Sequence, residues 1–321
     1  MVKPLEPLQL HPGATALQYG ISCFEGMKAY KDAQGHARLF RPEMNMARLQ
    51  RSTLRLALPE FGEEELLECI KALLRVDDAW IPQERGYSLY LRPFVMGSTP
   101  FLGVGPSNDA KLITLLSPVG PYFKAGQAKV RLLIDETNLR AAPGGAGAHK
   151  LAGNYAPTIT PQRRAAELGA DQCLYSCEGK LSECGAMNMF FLIRDEAVEG
   201  GLELVTAPLD GTILPGVTRD SILSLARQWG EFKVSERDVT ISELETAFNE
   251  GRLVECFGAG TAAVIMPVGG FVREDGTKWE LPETPVDAAT GADMSLGQRL
   301  KDAIEAIQYG EVESPWSVLV N

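Results

Sequence analysis

Histidine is scarce in this chain of 321 residues: only His11, His36 and His149 occur. So few imidazoles make a multi-histidine metal site or a histidine-based nucleophilic triad an unexpected solution here. The six cysteines, Cys23, Cys69, Cys173, Cys177, Cys184 and Cys256, form no C-x-x-C pair. Cys173, Cys177 and Cys184 cluster, but no histidine stands near them at a zinc-ligand spacing. No metal is therefore expected, and the thiols read as reduced core residues. Basic charge is short as well: 31 Lys and Arg stand against 42 Asp and Glu, a net charge of −11. A nucleic-acid partner would need clustered positive charge, so none is expected. No apolar run approaches the ~20 residues of a membrane span, and no membrane association is expected. Residues 1–7 lack the apolar core of a signal peptide, which leaves a cytoplasmic protein as the expectation.

One local shortage is more informative than these. Between Ala141 and Gln162 the only formally charged residue is Lys150. The chain-wide 23% of charged residues would place about five charges in such a stretch. A single amine among small, apolar and glycine residues is a candidate for desolvation, and a desolvated lysine is a candidate Schiff-base nucleophile. A solvated loop lysine is the alternative reading.

The rest of the chain alternates strand and helix signals. Residues 43–58 read as a helix with Arg48, Arg51 and Arg55 on one face. Residues 63–76 read as a second helix, with Leu66, Leu67, Ile70, Leu73 and Leu74 on its apolar stripe. Tyr90, Arg92 and Phe94 alternate along a strand and so share a face. Gly120 to Gly126 has hinge composition. Beyond it come a helix from Ala156 to Leu168, strands at 172–177 and 181–193, and a helix from Val217 to Trp229. Thr240 and Glu243 form a capping box for a further helix. Residues 270–292 read as turn-rich, ahead of a terminal helix near 294–308. The order is mixed α+β, with domains expected at 1–123 and 131–321 and a linker at 124–130.

Two stretches resemble anion cradles. Pro215-Gly216 opens a helix whose first N–H groups belong to Val217 and Thr218. Gly258-Ala259-Gly260-Thr261 follows a strand and offers backbone N–H groups and a hydroxyl. Ordinary turns are the alternative for both. A dinucleotide fingerprint at Gly258 and Gly260 would make the chain a non-catalytic nucleotide-binding protein. Pro267, Gly269 and Gly270 leave no room for the long helix that fingerprint needs. Glu183 stands in a strand-like run with no other charge between Lys180 and Arg194. A strand-edge carboxylate facing water is one reading, a carboxylate against a protonated ring nitrogen the other. An amine, two phosphate cradles and a shielded carboxylate are what pyridoxal 5'-phosphate requires.

Ordered motifs then resemble one family. They are Phe24-Glu25-Gly26-Met27-Lys28-Ala29, Phe40-Arg41-Pro42 with Asn45-Met46-Ala47-Arg48-Leu49, and Leu89-Tyr90-Leu91-Arg92-Pro93. Later come Lys150-Leu151-Ala152-Gly153-Asn154-Tyr155, Ile213-Leu214-Pro215-Gly216-Val217-Thr218-Arg219, Phe257-Gly258-Ala259-Gly260-Thr261-Ala262 and Ile307-Gln308-Tyr309-Gly310. The chain resembles the branched-chain amino acid aminotransferases, within the fold-type IV pyridoxal phosphate enzymes. That resemblance implies a D-amino acid aminotransferase-like fold, a small α/β domain plus a larger pseudo-barrel domain. It implies transfer of an amino group between Leu, Ile or Val and 2-oxoglutarate, yielding L-glutamate, in a homodimer or higher homo-oligomer. A D-amino acid aminotransferase or an aminodeoxychorismate lyase is the related alternative.

By the same resemblance Lys150 would hold the cofactor and move the proton. Tyr155 would bond the ring hydroxyl, Glu183 the ring nitrogen, and Leu214 would pack on the ring. Arg48, Val217, Thr218 and Thr261 would hold the phosphate. Tyr19, Phe24, Tyr90, Tyr122 and Met187 would line the substrate pocket, with Thr261 and Ala262 taking the α-carboxylate. Leu102 and Val104 would come from the other subunit. Arg92, on the face of Tyr90, would serve the second carboxylate of glutamate. Three departures stand out. Ala186 replaces the Thr of the animal-like pattern, Ala263 to Met266 lacks the redox C-x-x-C of some members, and the chain starts a few tens of residues late. Part of the small domain, with a pocket-lining stretch, would then lie outside it.

Overall fold

A computed structural model describes residues 2–121, 129–197, 201–283, 285–288 and 293–320. The chain divides into two compact units. One comprises Met1–Pro121, His149–Gly153 and Ala306–Asn321, the other Tyr122–Ala148 and Asn154–Glu305. The short segment that carries Lys150 thus belongs to the first unit, although the chain on both sides of it belongs to the second.

The first unit opens with α1 (Thr15–Tyr19), β1 (Ser22–Phe24), β2 (Met27–Lys31) and β3 (Ala37–Phe40). Then come α2 (Pro42–Arg55), α3 (Glu63–Val76), β4 (Ser88–Gly97) and β5 (Ala110–Val119). Strand β4 is the spine of the sheet. One of its edges pairs with β5 over its whole length, from Ser88↔Val119 to Gly97↔Ala110. The other edge takes β1 at Phe94–Met96 and β2 at Leu89–Leu91. The C-terminal strand Ser317–Leu319 joins β3. Helix α3 begins with Glu63, Glu64 and Glu65, whose charges suit the helix dipole, and buries Leu66, Leu67, Ile70 and Leu74.

The second unit contains β6 (Val130–Asp135), α4 (Ile159–Glu167), β7 (Gln172–Cys177), β8 (Lys180–Cys184) and β9 (Asn188–Arg194). It continues with β10 (Leu202–Thr206), α5 (Val217–Trp229), β11 (Lys233–Glu236) and α6 (Ile241–Asn249). Strands β12 (Leu253–Gly260), β13 (Val264–Val272) and β14 (Lys278–Glu280) precede the last helix, α7 (Leu296–Gln308). Among the described residues the pairing runs β9, β12, β13, β6, β7, β8 and returns from β8 to β9, which closes a barrel. β10 and β11 extend from β9, and β14 from β13. The expected α+β fold with a pseudo-barrel is what this topology forms.

Period-two patterning explains the packing. Val130, Leu132 and Ile134 of β6 join Met189, Phe191 and Ile193 of β9 in one buried cluster. Leu133 faces the other way, with Ala165 of α4, Cys173 and Tyr175. Leu132, Leu133 and Ile134 are apolar in succession because both faces of β6 are covered there.

Three local expectations change. The run 181–193, read as one strand, is two: β8 and β9 flank a turn at Gly185–Met187 and pair at Glu183↔Asn188. Residues read as turn-rich from 270 begin inside β13. Arg48, Arg51 and Arg55 do not share one environment: Arg48 is buried, while Arg51 and Arg55 are exposed. The buried side of α2 carries Asn45, Arg48 and Ser52, spaced i, i+3 and i+7, beside the apolar Met46 and Leu49.

Candidate active site

In the first unit, backbone hydrogen bonds fix Lys150. Its carbonyl accepts the Phe24 N–H at 3.1 Å, and its own N–H donates to Ser52 Oγ at 2.9 Å. Leu151 bridges Cys23, so this segment adds briefly to the edge of β1. Lys150 Nζ lies 5.0 Å from the centre of the Phe24 ring.

The charges near this lysine come from elsewhere in the sequence. Glu25 is fully buried and accepts from Arg48 at 2.6 and 2.9 Å, the fork geometry of a bidentate pair. Asn45 Nδ2 and the Gly26 N–H also donate to it, at 2.8 and 3.1 Å. Burial alone would raise the Glu25 carboxyl. The Arg48 guanidinium, with Lys150 and Asn45, outweighs burial and holds it below the usual carboxylate range. His149 next door is pushed down by burial and by Arg55 and Arg51.

Strand β4 presents Tyr90 and Arg92 together, as their spacing predicts. Arg92 Nη2 donates to Tyr90 Oη at 3.0 Å, and the guanidinium stands 4.6 Å from the Phe24 ring centre. Arg92 Nε is buried without a hydrogen-bond acceptor among the described residues. A Cβ at Gly26 would come within 2.2 Å of Tyr90 Oη, so the small residue there is what admits the tyrosine. Tyr19, at the end of α1, donates its hydroxyl to the Leu102 carbonyl. The side chains of Leu102 and Val104 are exposed. Tyr122 lies outside the described residues.

In the second unit, Glu183 of β8 is only 2% exposed. Its Oε1 lies 2.7 Å from Arg140 Nη1 and accepts the Leu214 N–H at 2.8 Å. Its Oε2 accepts from Asn188 Nδ2 at 2.9 Å, and the same amide nitrogen donates to the Leu214 carbonyl at 2.9 Å. Arg140 is pinned a second time by the Thr212 carbonyl at 3.2 Å. Asp210 Oδ1 in turn holds Thr212 through its N–H and hydroxyl. The carboxylate is thus buried with a cation and hydrogen-bond donors around it, the partners that a buried charge requires.

Leu214 leads directly into the start of α5. Gly216 is the N-cap of this helix, and no side chain caps it. A Cβ there would come within 2.1 Å of Asn188 Oδ1. Val217 and Thr218 occupy the first turn, whose N–H groups and dipole favour an anion. Of the other expected cradle, Gly258, Ala259 and Gly260 are the end of strand β12 rather than a loop after it, and Thr261 opens the turn of the β12–β13 hairpin, with Gly260 opposite Val264. No helix follows it. Met187 is buried against Gly258, where a Cβ would meet its Sδ at 2.9 Å. Tyr155 is half-buried, and its carbonyl accepts the N–H and hydroxyl of Thr158.

Each unit therefore gathers its own share of the expected set. Phe24, Arg48, Tyr90, Arg92 and Lys150 are in the first, and Tyr155, Glu183, Met187, Leu214, Val217, Thr218, Thr261 and Ala262 in the second. Sequence reasoning missed Glu25, Asn45, Arg140 and Asn188 as partners. A usable signal existed for Arg140, because a carboxylate buried in an apolar strand requires a cation from somewhere. A pyridoxal phosphate fits the residues of the second unit: an uncapped helix N-terminus and Gly216 suit its phosphate, and a buried carboxylate suits its ring nitrogen. All six cysteines are free, and burial pushes the Cys173 thiol up to about 12.

Comparison with known proteins gives the same picture. The family model for amino-transferase class IV matches residues 22–270. A branched-chain-amino-acid aminotransferase of Dictyostelium discoideum is 49% identical over 315 residues, covering 98% of this chain and 82% of that protein. The crystal structure of a branched-chain aminotransferase from Thermoproteus uzoniensis with norvaline is 27% identical, with a TM-score of 0.79 over 98% of this chain and 94% of that one. A branched-chain amino acid aminotransferase of T.th. with pyridoxamine 5'-phosphate is 28% identical, with a TM-score of 0.77 over 99% and 96%.

Proposed function

The chain belongs to the branched-chain amino acid aminotransferases of class IV, and from that premise we propose how its own residues carry the reaction. The reaction moves the amino group of L-leucine, L-isoleucine or L-valine to 2-oxoglutarate, giving the branched-chain 2-oxo acid and L-glutamate. Pyridoxal 5'-phosphate, when bound, supplies a carbonyl that captures amines and a protonated ring that draws electron density from the adjacent carbon.

Lys150 Nζ would hold the cofactor carbonyl and move the proton. Glu183 would accept the ring N–H, Tyr155 would bond the ring hydroxyl, and Leu214 would pack on the ring. The Val217 and Thr218 N–H groups, Thr261 and Arg48 hold the phosphate. Phe24, Tyr19, Tyr90 and Met187 contact the branched side chain, which needs an apolar wall. Thr261 and Ala262 take the α-carboxylate on backbone N–H groups, and Arg92 takes the second carboxylate of glutamate. Leu102 and Val104, whose exposure leaves them available to a second copy, complete the partner's pocket in a homodimer. A cytoplasmic setting accords with six unpaired thiols, and no described helix is long and apolar enough to cross a membrane.

The observation that carries this reading is Glu183, a buried carboxylate that accepts the Leu214 N–H of the loop leading into an uncapped helix. The test is reconstitution with pyridoxal 5'-phosphate followed by addition of L-leucine, L-isoleucine, L-valine, L-glutamate or D-alanine. A visible band from the lysine-bound cofactor should form, and the L-amino acids should bleach it. Lys150→Ala should never form the band. Wild-type protein that binds no cofactor, or that is bleached by D-alanine alone, would refute the reading.

A further inference from the structure

The buried pair of Arg140 and Glu183 lies entirely within the second unit, and none of the roles above uses Arg140. Its geometry is built rather than incidental. Arg140 Nη1 stands 2.7 Å from Glu183 Oε1 and 3.2 Å from the Thr212 carbonyl, and both side chains are 3% exposed. Thr212 is itself clamped by Asp210 at 2.8 and 2.7 Å. A chain of contacts therefore runs from Asp210 through Thr212 to Arg140, and it sets where the guanidinium meets the carboxylate.

We infer that Arg140 is a positioning residue for the cofactor: it keeps Glu183 an oriented anion, so that the proton shared with the ring nitrogen stays on the ring. The inference rests on the assignment of Glu183 to that nitrogen made above. A carboxylate isolated from water takes up a proton rather than stay charged, and a neutral acid would donate to the ring rather than accept from it. A neighbouring guanidinium in a poorly screened interior favours the anion. Arginine also cannot release its proton to the carboxylate, so the charge stays fixed at this place. The Leu214 N–H and Asn188 Nδ2 orient the same carboxylate but are neutral, so they aim it without supplying charge. Arg140 is the charged member of the three.

A purely structural Arg140 would neutralise a buried charge and no more. Two cofactors separate the cases: pyridoxal 5'-phosphate and its 1-deaza analogue, in which C–H replaces the ring nitrogen. Dissociation constants for both are measured by fluorescence titration of cofactor-stripped wild type, Arg140→Met and Arg140→Lys. Wild type should prefer the nitrogen-bearing form by about tenfold or more, the size of a charge-assisted hydrogen bond. Arg140→Met should narrow that preference to about twofold, while Arg140→Lys, which keeps the charge, should retain it within about threefold.

An undiminished preference in Arg140→Met overturns the inference and leaves the proposed function standing. Absence of the lysine-bound band in wild type overturns the proposed function instead. A wild type that binds but does not discriminate between the two forms overturns the assignment of Glu183, and the inference with it. If Arg140→Met yields no folded protein, Arg140→Lys decides: a retained preference supports the inference and a lost one overturns it.

Discussion

Glu183 and Asn188 face each other across the rung that joins β8 to β9, and their side chains are hydrogen-bonded at 2.9 Å. The pairing that closes the barrel therefore also aims the buried carboxylate. Asn188 reaches on to the Leu214 carbonyl at 2.9 Å and so ties the loop before α5 to the same point. The buried carboxylate and the loop leading into α5 are held by one amide.

Replacing that amide tests the arrangement. Asn188→Leu leaves Glu183 Oε2 and the Leu214 carbonyl each short of a donor in a buried site. The expected cost is about 1–3 kcal/mol of folding stability, measured by urea denaturation of the cofactor-free protein. A midpoint equal to wild type would mean that water replaces both bonds.

Gly216 offers a steric counterpart. Gly216→Ala puts a Cβ within 2.1 Å of Asn188 Oδ1, so either the asparagine or the start of α5 must move. Affinity for pyridoxal 5'-phosphate should fall by about tenfold or more, since anion binding at a helix end depends on its N–H directions. Inorganic phosphate should compete less well with the cofactor in the variant than in wild type. Unchanged values for both would remove this helix from the phosphate site.

The Tyr90–Arg92 pair makes a claim about substrate choice. Arg92→Leu should lower kcat/KM for 2-oxoglutarate about 10–100-fold more than for a branched-chain 2-oxo acid, the range of a charged hydrogen bond. Equal losses for the two substrates would assign Arg92 to packing against Phe24.

Acid stability tests a carboxylate away from the site. Glu203 of β10 is 2% exposed and bonded by Arg237 at 2.7 Å, with Lys233 at 3.2 Å. Burial alone would raise its carboxyl; Arg237, Ser235 and Lys233 outweigh burial and hold it at about 2. A carboxyl depressed by folding contributes stability above its unfolded value, and that contribution is lost as pH falls through the folded value. The window runs from about pH 4.5 down to about pH 2, and the contribution at neutral pH is up to about 3 kcal/mol. Glu203→Gln should therefore be less stable at pH 7 and show a flatter loss across that window. Parallel pH–stability curves for variant and wild type would count against it.

What the sequence by itself determined was local. Helix α3 and helix α5 occupy 63–76 and 217–229, as their apolar spacing, acidic start and Pro-Gly opening predict. Lys150 and Glu183 stood out in the sequence as candidates, because an amine or a carboxylate without charged neighbours is unusual over a dozen residues. Tertiary structure alone decided what those groups touch. Gly185 is the one turn residue in 185–187, and a lone glycine inside an apolar strand pattern reads as a bulge rather than a reversal, so 181–193 reads as one strand. Folding it back brings Asn188 to Glu183, and the long-range closure of six strands makes that bend worthwhile. Arg140 reaches Glu183 across 43 positions of chain, and Arg48 reaches Glu25 across 23. Hydrophobic periodicity speaks for a few neighbouring residues, whereas the partner of a buried charge is chosen by the strands and helices that enclose it.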